Sequence, residues 1–398
     1  MKKILILNGS FCETPLIKKT KEMGYYVITT GNAPDLEGHA FADEYIPGDY
    51  SNKDLMLELV KTKQIDGIIG CANDFGTISA AYVAEKMGWP GHDTYENTLL
   101  LHHKDRFKKY CAEHDIPSVQ SKVFTVKQEL LEYVKNCAYP IIIKANDLTG
   151  GKGIRRADSY EEAVSAAEYS FSASRDKRIL VEPFIIGTQH AIDVFIVKGK
   201  IVAITGCNCY SNVNPYLIQT ETYPSDFLEV DKGPICELVL KMAKELNLAD
   251  GVLTVQYMRS NEKLYVIEVM RRLTGNLSFT LYEKATGFPW YEGYIRSSLG
   301  LDCSGLKAQE PTGRYCGHHG IFARQNGIIV KYDIPEEVKN HVYEFVELMK
   351  PGDKIEDYKI QRIASFFYTY DTKEELEENA KSFYNRIVVE MREEQNDE

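Results

Sequence analysis

The chain has 398 residues, too many for one compact core, and a globular composition of 44% hydrophobic and 26% charged residues without low-complexity tract or internal repeat. A net charge of −11 excludes a broad basic surface for nucleic acid and leaves room only for a local basic pocket. Apolar runs such as Ile141 to Ile143 are far too short to span a bilayer, and nine cysteines without CxxC spacing read as reduced thiols of a cytoplasmic protein.

The first hundred residues alternate strand and helix signals. MKKILILNGS carries too short an apolar run for a signal peptide and reads as a first buried strand, Lys3 to Leu7. Tyr25 to Thr29 and Asp66 to Cys71 are further short apolar runs suited to parallel strands. Between them Ser51 is expected to cap a helix whose Leu55, Met56, Leu59 and Val60 share a face. This βαβ pattern predicts a small doubly wound domain with Asn8-Gly9-Ser10 at its ligand-binding end; without GxGxxG, a nicotinamide dinucleotide is not expected.

A helix is expected over Lys104 to His114. It is followed by the strand PIIIKA (Pro140 to Ala145), the glycine-rich LTGGKGIRR, a helix opened by the capping box Ser159 to Glu162, and the strand RILVEPFI (Arg178 to Ile185). A hairpin turning at Lys198-Gly199 comes next, then an amphipathic helix carrying Ile235, Leu238, Val239, Met242, Ala243 and Leu246. A second hairpin pairs VLTVQYM with KLYVIEVM, and an α+β module from about residue 305 ends in an acidic tail expected to fray. Cys316, His318 and His319 lack a second ligand pair for zinc, so packing is the favoured reading.

The second hairpin carries chemistry. If Met258 pairs with Leu264, Gln256 faces Val266 and Glu268 faces Thr254, leaving Gln256 and Glu268 diagonal neighbours within reach of a shared ion. Two oxygen donors on an apolar face suit Mg²⁺; the alternative is a solvated Gln–Glu pair. Thr149-Gly150-Gly151-Lys152-Gly153 follows a strand ending in Lys144, and glycines let backbone N–H groups approach phosphate. A lysine closing a run of three isoleucines is poorly explained unless it meets an anion.

Taken in order, HHKDRF (102 to 107), PIIIKA, LTGGKGI, ILVEPFIIG (179 to 187), VLTVQY and VIEVMRRLTGN (266 to 276) resemble the ATP-grasp superfamily. The resemblance is to its branch holding carbamoyl-phosphate synthetase, biotin carboxylase, N5-carboxyaminoimidazole ribonucleotide synthase and stand-alone amino-acid ligases. It implies an α/β and α+β multidomain chain: a doubly wound pre-ATP-grasp domain over 1–98, a bipartite ATP-grasp domain over 99–300 with a small subdomain at about 115–183, and a C-terminal α+β module over 301–398.

The resemblance also implies roles. Lys104 and Lys144 would contact ATP phosphates, and Gly150, Gly151, Lys152 and Gly153 would cover the triphosphate. Glu182, Pro183 and Phe184 would read the adenine edge, with Glu182 or Gln189 on the ribose. Gln256 and Glu268 would hold Mg²⁺ (or Mn²⁺), and Arg272 would stabilise charge on the transferring phosphoryl group or the acyl phosphate. Relatives usually carry Asn where this chain has Met270, a poor Mg²⁺ ligand, so one ion site is weakened or Glu268 bridges both.

The implied activity is ATP-dependent joining of a carboxylate, an amino acid or another small acid, to an amine through an acyl phosphate. Carboxylation through carboxyphosphate is the alternative, though the chain shows neither a biotinyl-carrier MKM motif nor a recognisable glutaminase domain. A catalytically degenerate nucleotide-binding protein is the third reading, and Met270 is its best argument. Asn73 and Asp74, Asn8 to Ser10, Tyr210, Asn212 and Tyr223 are nominated to face the substrate, and helix capping is the competing role for Asn73 and Asp74. Expected partners are the small-molecule carboxylate and amine, with no nucleic acid and no membrane. A homodimer, common among relatives, is an expectation.

Overall fold

In the computed structural model, which describes residues 1–393, the first strand runs over Lys3–Leu7 as expected. It pairs in parallel with Tyr26–Gly31 on one side and Gly67–Ile69 on the other, and Glu44–Pro47 completes the sheet. Strand order therefore reverses about Lys3–Leu7, opening a crevice at the carboxyl ends of the strands. Ile4, Leu5, Ile6 and Leu7 are all buried, since helices cover both faces. The helix Lys53–Lys63 is capped by Asn52, which accepts from the Leu55 amide, and not by Ser51, whose hydroxyl donates to Asp49. Met56 and Val60 face the core, whereas Leu55 is exposed.

A four-stranded antiparallel sheet follows, in the order Lys122–Phe124, Ile179–Pro183, Ile141–Ala145, Ile154–Ala157. The helix Tyr160–Ala173 packs on it through Ala163, Ala166 and Ala167. Ser159 caps that helix by accepting from the Glu162 amide.

The largest sheet has eight strands, ordered Lys263–Met270, Gly251–Ser260, Thr188–Val197, Lys200–Tyr210, Thr220–Tyr223, Tyr315–Phe322, Arg362–Tyr370, Val342–Glu347. The last three belong to the C-terminal third of the chain, so that third extends the same hydrogen-bonded surface. One core unites Ile4 and Ile6 of the first sheet with Phe195, Val252, Trp290, Cys316 and Phe367. The acidic tail expected to fray falls at 394–398, outside the described residues.

The second hairpin differs from its expected register. Asn261 and Glu262 both adopt positive φ, making a two-residue turn between Ser260 and Lys263. Arg259 then pairs with Leu264 and Met258 with Tyr265. A register shift between Gln256 and Tyr257 skips Ile267 and brings Gln256 directly opposite Glu268. The two donors are thus cross-strand partners and not diagonal neighbours.

Asp193 lies wholly buried in the large sheet, where Thr254 Oγ1 donates to its Oδ1 and Oδ2 has no hydrogen-bond partner among the described residues. Burial pushes its carboxyl up to about 7. An acid whose folded pKa is raised favours the fold at low pH, and that share is lost as pH climbs from about 4 to about 7. Asp193→Asn keeps the Thr254 acceptor without the charge. Its unfolding free energy, measured by denaturant titration, is expected to match wild type near pH 4 and exceed it by a few kcal/mol at pH 8. Equal curves at both pH values would refute this.

Candidate functional site

Between the four-stranded sheet and the large sheet lies a cavity of about 740 Å³. Lys104, Lys144, Glu182, Pro183, Phe184, Gln189, Tyr210, Asn212, Gln256 and Glu268, all singled out from sequence, line it together. Apolar Val119, Ile142, Met258 and Ile267 join them, giving the mix of apolar wall and few polar groups typical of a ligand site.

Glu182 organises the charges. It is 2% exposed, and its Oε2 accepts from Lys144 Nζ at 2.7 Å. Lys108, on the helix Lys104–Glu113, stands 3.9 Å from Oε1, which has no hydrogen-bond partner among the described residues. Burial alone would push the Glu182 carboxyl up, but Lys144 and Lys108 outweigh it and hold it below the usual range. The anion that accounts for Lys144 within the chain is therefore Glu182. Sequence reasoning missed Lys108, although a lysine on the same helical stripe as Phe107 and Cys111 was a usable signal. It donates to Ser118 Oγ at 2.7 Å, and burial lowers its ammonium pKa.

Lys104 Nζ donates to Leu148 O at 2.7 Å, at the root of the glycine-rich turn. Gly150, Gly151 and Gly153 all have positive φ, a conformation that side chains with a Cβ resist. The turn leans on the segment after Tyr210: a Cβ on Gly151 would stand 3.1 Å from Tyr216 O. Tyr216 Oη accepts from the Arg156 amide at 2.6 Å, and Asn214 Nδ2 donates to Lys359 O at 3.3 Å. For the ATP-dependent activity that the sequence resemblance implies, Tyr216→Phe is expected to loosen this contact and raise KM for ATP a few-fold with kcat little changed, in steady-state phosphate-release assays. An unchanged KM would show that the tyrosine does not hold the turn.

Glu268 and Gln256 face each other across the hairpin. Gln256 Oε1 accepts only a long bond from Gln189 Nε2 at 3.4 Å, and the half-buried Glu268 carboxylate has neither hydrogen bond nor ion pair among the described residues. An uncommitted carboxylate beside a carboxamide oxygen fits a hard divalent cation that completes its shell with water or phosphate. Met270 is 5% exposed, pairs with Thr254 and offers only a thioether.

Arg272 lies outside the cavity wall. Its Nε donates to Asp74 Oδ1 at 2.7 Å, and Nη1 donates to the carbonyls of Ala72 and Leu273. His102 Nδ1 shares a hydrogen bond with the same Asp74 oxygen at 2.8 Å. Burial would raise Asp74, yet Arg272 and His102 hold it well below the usual carboxylate range. Asp74, nominated for substrate, thus positions an arginine, while Asn73 caps the helix Asp74–Met87 by accepting from Gly76 N. Asn8 and Ser10 are likewise committed, both donating to buried Glu13. Tyr210 donates to Glu377 of the last helix, and Tyr223 does not line the cavity. His318 and His319 are buried in the large sheet, and no group of three or more metal-ligating His, Cys, Asp or Glu occurs among the described residues.

The family model of the carbamoyl-phosphate synthase L chain, ATP binding domain, matches residues 103–304. Among solved structures, an L-amino acid ligase from Bacillus licheniformis superposes with a TM-score of 0.82 at 18% identity, covering 98% of this chain and 99% of that one. The biotin carboxylase domain of the Hydrogenobacter thermophilus 2-oxoglutarate carboxylase, solved with MgADP and bicarbonate, gives 0.77 at 21% identity, covering 98% and 91%. N5-carboxyaminoimidazole ribonucleotide synthetase from Thermotoga maritima gives 0.75 at 18% identity, covering 98% and 100%. At these identities the likeness is one of fold. No helix among the described residues is long and apolar enough to cross a membrane.

Proposed function

Because the chain belongs to the ATP-grasp family of the carbamoyl-phosphate synthase L chain ATP-binding domain, we propose that it joins a small carboxylic acid, an amino acid foremost, to an amine through an acyl phosphate. The family and its cofactors, ATP with Mg²⁺, frame the reading. The observation that carries it is the uncommitted Glu268 carboxylate opposite Gln256, in a cavity that also holds Lys104, Lys108 and Lys144.

In this reading Glu268 and Gln256 hold the metal, which supplies charge neutralisation between phosphate groups. Lys104 and Lys144 meet phosphate oxygens under the turn Gly150–Gly153, and Pro183 and Phe184 offer backbone and ring to the base. Glu182 keeps the lysines aligned, and Gln189 reaches a sugar hydroxyl. Arg272, outside the cavity wall but close enough to Glu268 to feel its charge, is gripped by Asp74 and would be the cation for the phosphoryl or acyl phosphate group. The cavity walls keep water from the activated acyl group.

The test is phosphate release with Mg-ATP across a panel of amino acids, small carboxylates and amines, with mass detection of products. Release that requires an acid and an amine together, with an amide product, supports the ligase. Bicarbonate-dependent release without an amino acid replaces it by carboxylation, and absence of nucleotide binding replaces both by a degenerate site.

A further inference from the structure

A second cluster of charged side chains, none of them lining the ATP-sized cavity, lies where the N-terminal loop, the large sheet and the C-terminal third meet. Arg362 opens the strand Arg362–Tyr370 and is 8% exposed. Its Nη1 donates to His318 Nε2 at 3.2 Å and Ser365 Oγ at 3.0 Å, while the rings of Phe11 and Phe322 lie 5.9 and 5.3 Å away. It forms no ion pair with a carboxylate among the described residues. A guanidinium cannot shed its charge, so burying one without a contacting counter-anion is strongly unfavourable. The place is suited to an anion in direct contact, which no carboxylate among the described residues provides.

A complementary acid stands one imidazole away, its carboxyl pushed up to about 7 by burial. Glu221, 2% exposed, accepts at Oε2 from Ser278 Oγ and from Asn276 Nδ2, and its Oε1 has no hydrogen bond among the described residues. His318 lies between the two groups, its Nδ1 3.8 Å from Glu221 Oε2 and without a hydrogen-bond partner among the described residues. Burial, and then Arg362, pull its pKa well below the ordinary value, so the ring is a neutral spacer. Nearby, Cys12 Sγ donates to Gly275 O at 2.9 Å, and a Cβ built on Gly275 would meet only Ala72 O, at 3.4 Å. The backbone beside the cluster is therefore anchored, and at Gly275 it leaves room for a Cβ.

We propose that Arg362 and Glu221 form a subsite for an α-amino acid in its zwitterionic form, Arg362 taking the carboxylate and Glu221 the ammonium group. Its role rests on the ligase reading: this amino acid is the amine donor, and pairing with Arg362 keeps its own carboxylate away from the phosphoryl donor. Bicarbonate, an anion without a cationic partner for Glu221, does not match the pair.

Calorimetric titration of the full-length protein with the common amino acids tests the subsite without catalysis. Saturable binding of at least one is expected, weakened about 50-fold in Arg362→Gln and less in Arg362→Lys. The amide of the same amino acid should bind weakly and equally to wild type and Arg362→Gln. Glu221→Gln, nearly isosteric, should weaken the amino acid while sparing the acid that lacks its amine, and it carries the test if Arg362→Gln does not fold. No amino acid bound by wild type, or the same loss for free acid and amide, overturns the proposal. Binding without ATP turnover on any substrate pair would instead refute the ligase reading and leave the subsite standing.

Discussion

Replacing Glu268 by alanine is expected to abolish Mg-ATP turnover, by about a thousandfold or more, while leaving the melting temperature nearly unchanged. Both halves follow from the same geometry. The carboxylate makes no hydrogen bond or ion pair among the described residues, so its removal leaves no partner unsatisfied. Gln256 opposite is neutral and binds a hard cation weakly on its own, and the thioether of Met270 cannot replace a lost oxygen ligand. Raising Mg²⁺ should recover little activity in Glu268→Ala and more in Glu268→Gln, measured as phosphate release against metal concentration. Near-normal turnover in the alanine variant would sink the metal assignment and leave the hairpin a solvated sheet face.

The strand Lys3–Leu7 and the turn at Lys198-Gly199 were legible because local signals decide them: a short apolar run, and a dipeptide that tolerates positive φ. The pairing of Gln256 with Glu268 was only half legible. Residue identity put two oxygen donors on one hairpin, but the register depends on an irregularity at Ile267 that no residue type announces. Lys144 shows how a sound argument can meet a nearer answer: the lysine needed an anion, and the chain supplies Glu182 from a neighbouring strand. Arg272 and Asp74 were each nominated separately, yet their contact joins segments 198 residues apart. Arg362, His318 and Glu221 left less trace, because a buried charge looks like a surface charge until tertiary structure strips away its water.

The Lys144–Glu182 pair separates a structural from a chemical role by a double substitution. Lys144→Met is expected to lower turnover by about 10²–10³ and also to destabilise the protein, because Glu182 at 2% exposure loses its closest counter-charge. The stability loss should be roughly 2–3 kcal/mol, less than for a fully isolated pair, since Lys108 remains 3.9 Å away and Lys144 is itself partly hydrated. The sign with pH is fixed by the depressed Glu182 carboxyl. Its share of stability is complete above the unfolded carboxylate pKa of about 4.3 and fades as pH falls, so wild type and Lys144→Met should converge in acid. Adding Glu182→Gln removes the stranded charge, and the double variant should regain most of the stability in denaturant titration. If Lys144 also meets phosphate, turnover stays low in that restored protein and KM for ATP stays high. Recovery of turnover together with stability would mean that the lysine serves only its glutamate, and that Lys104 and Lys108 carry the phosphate contact.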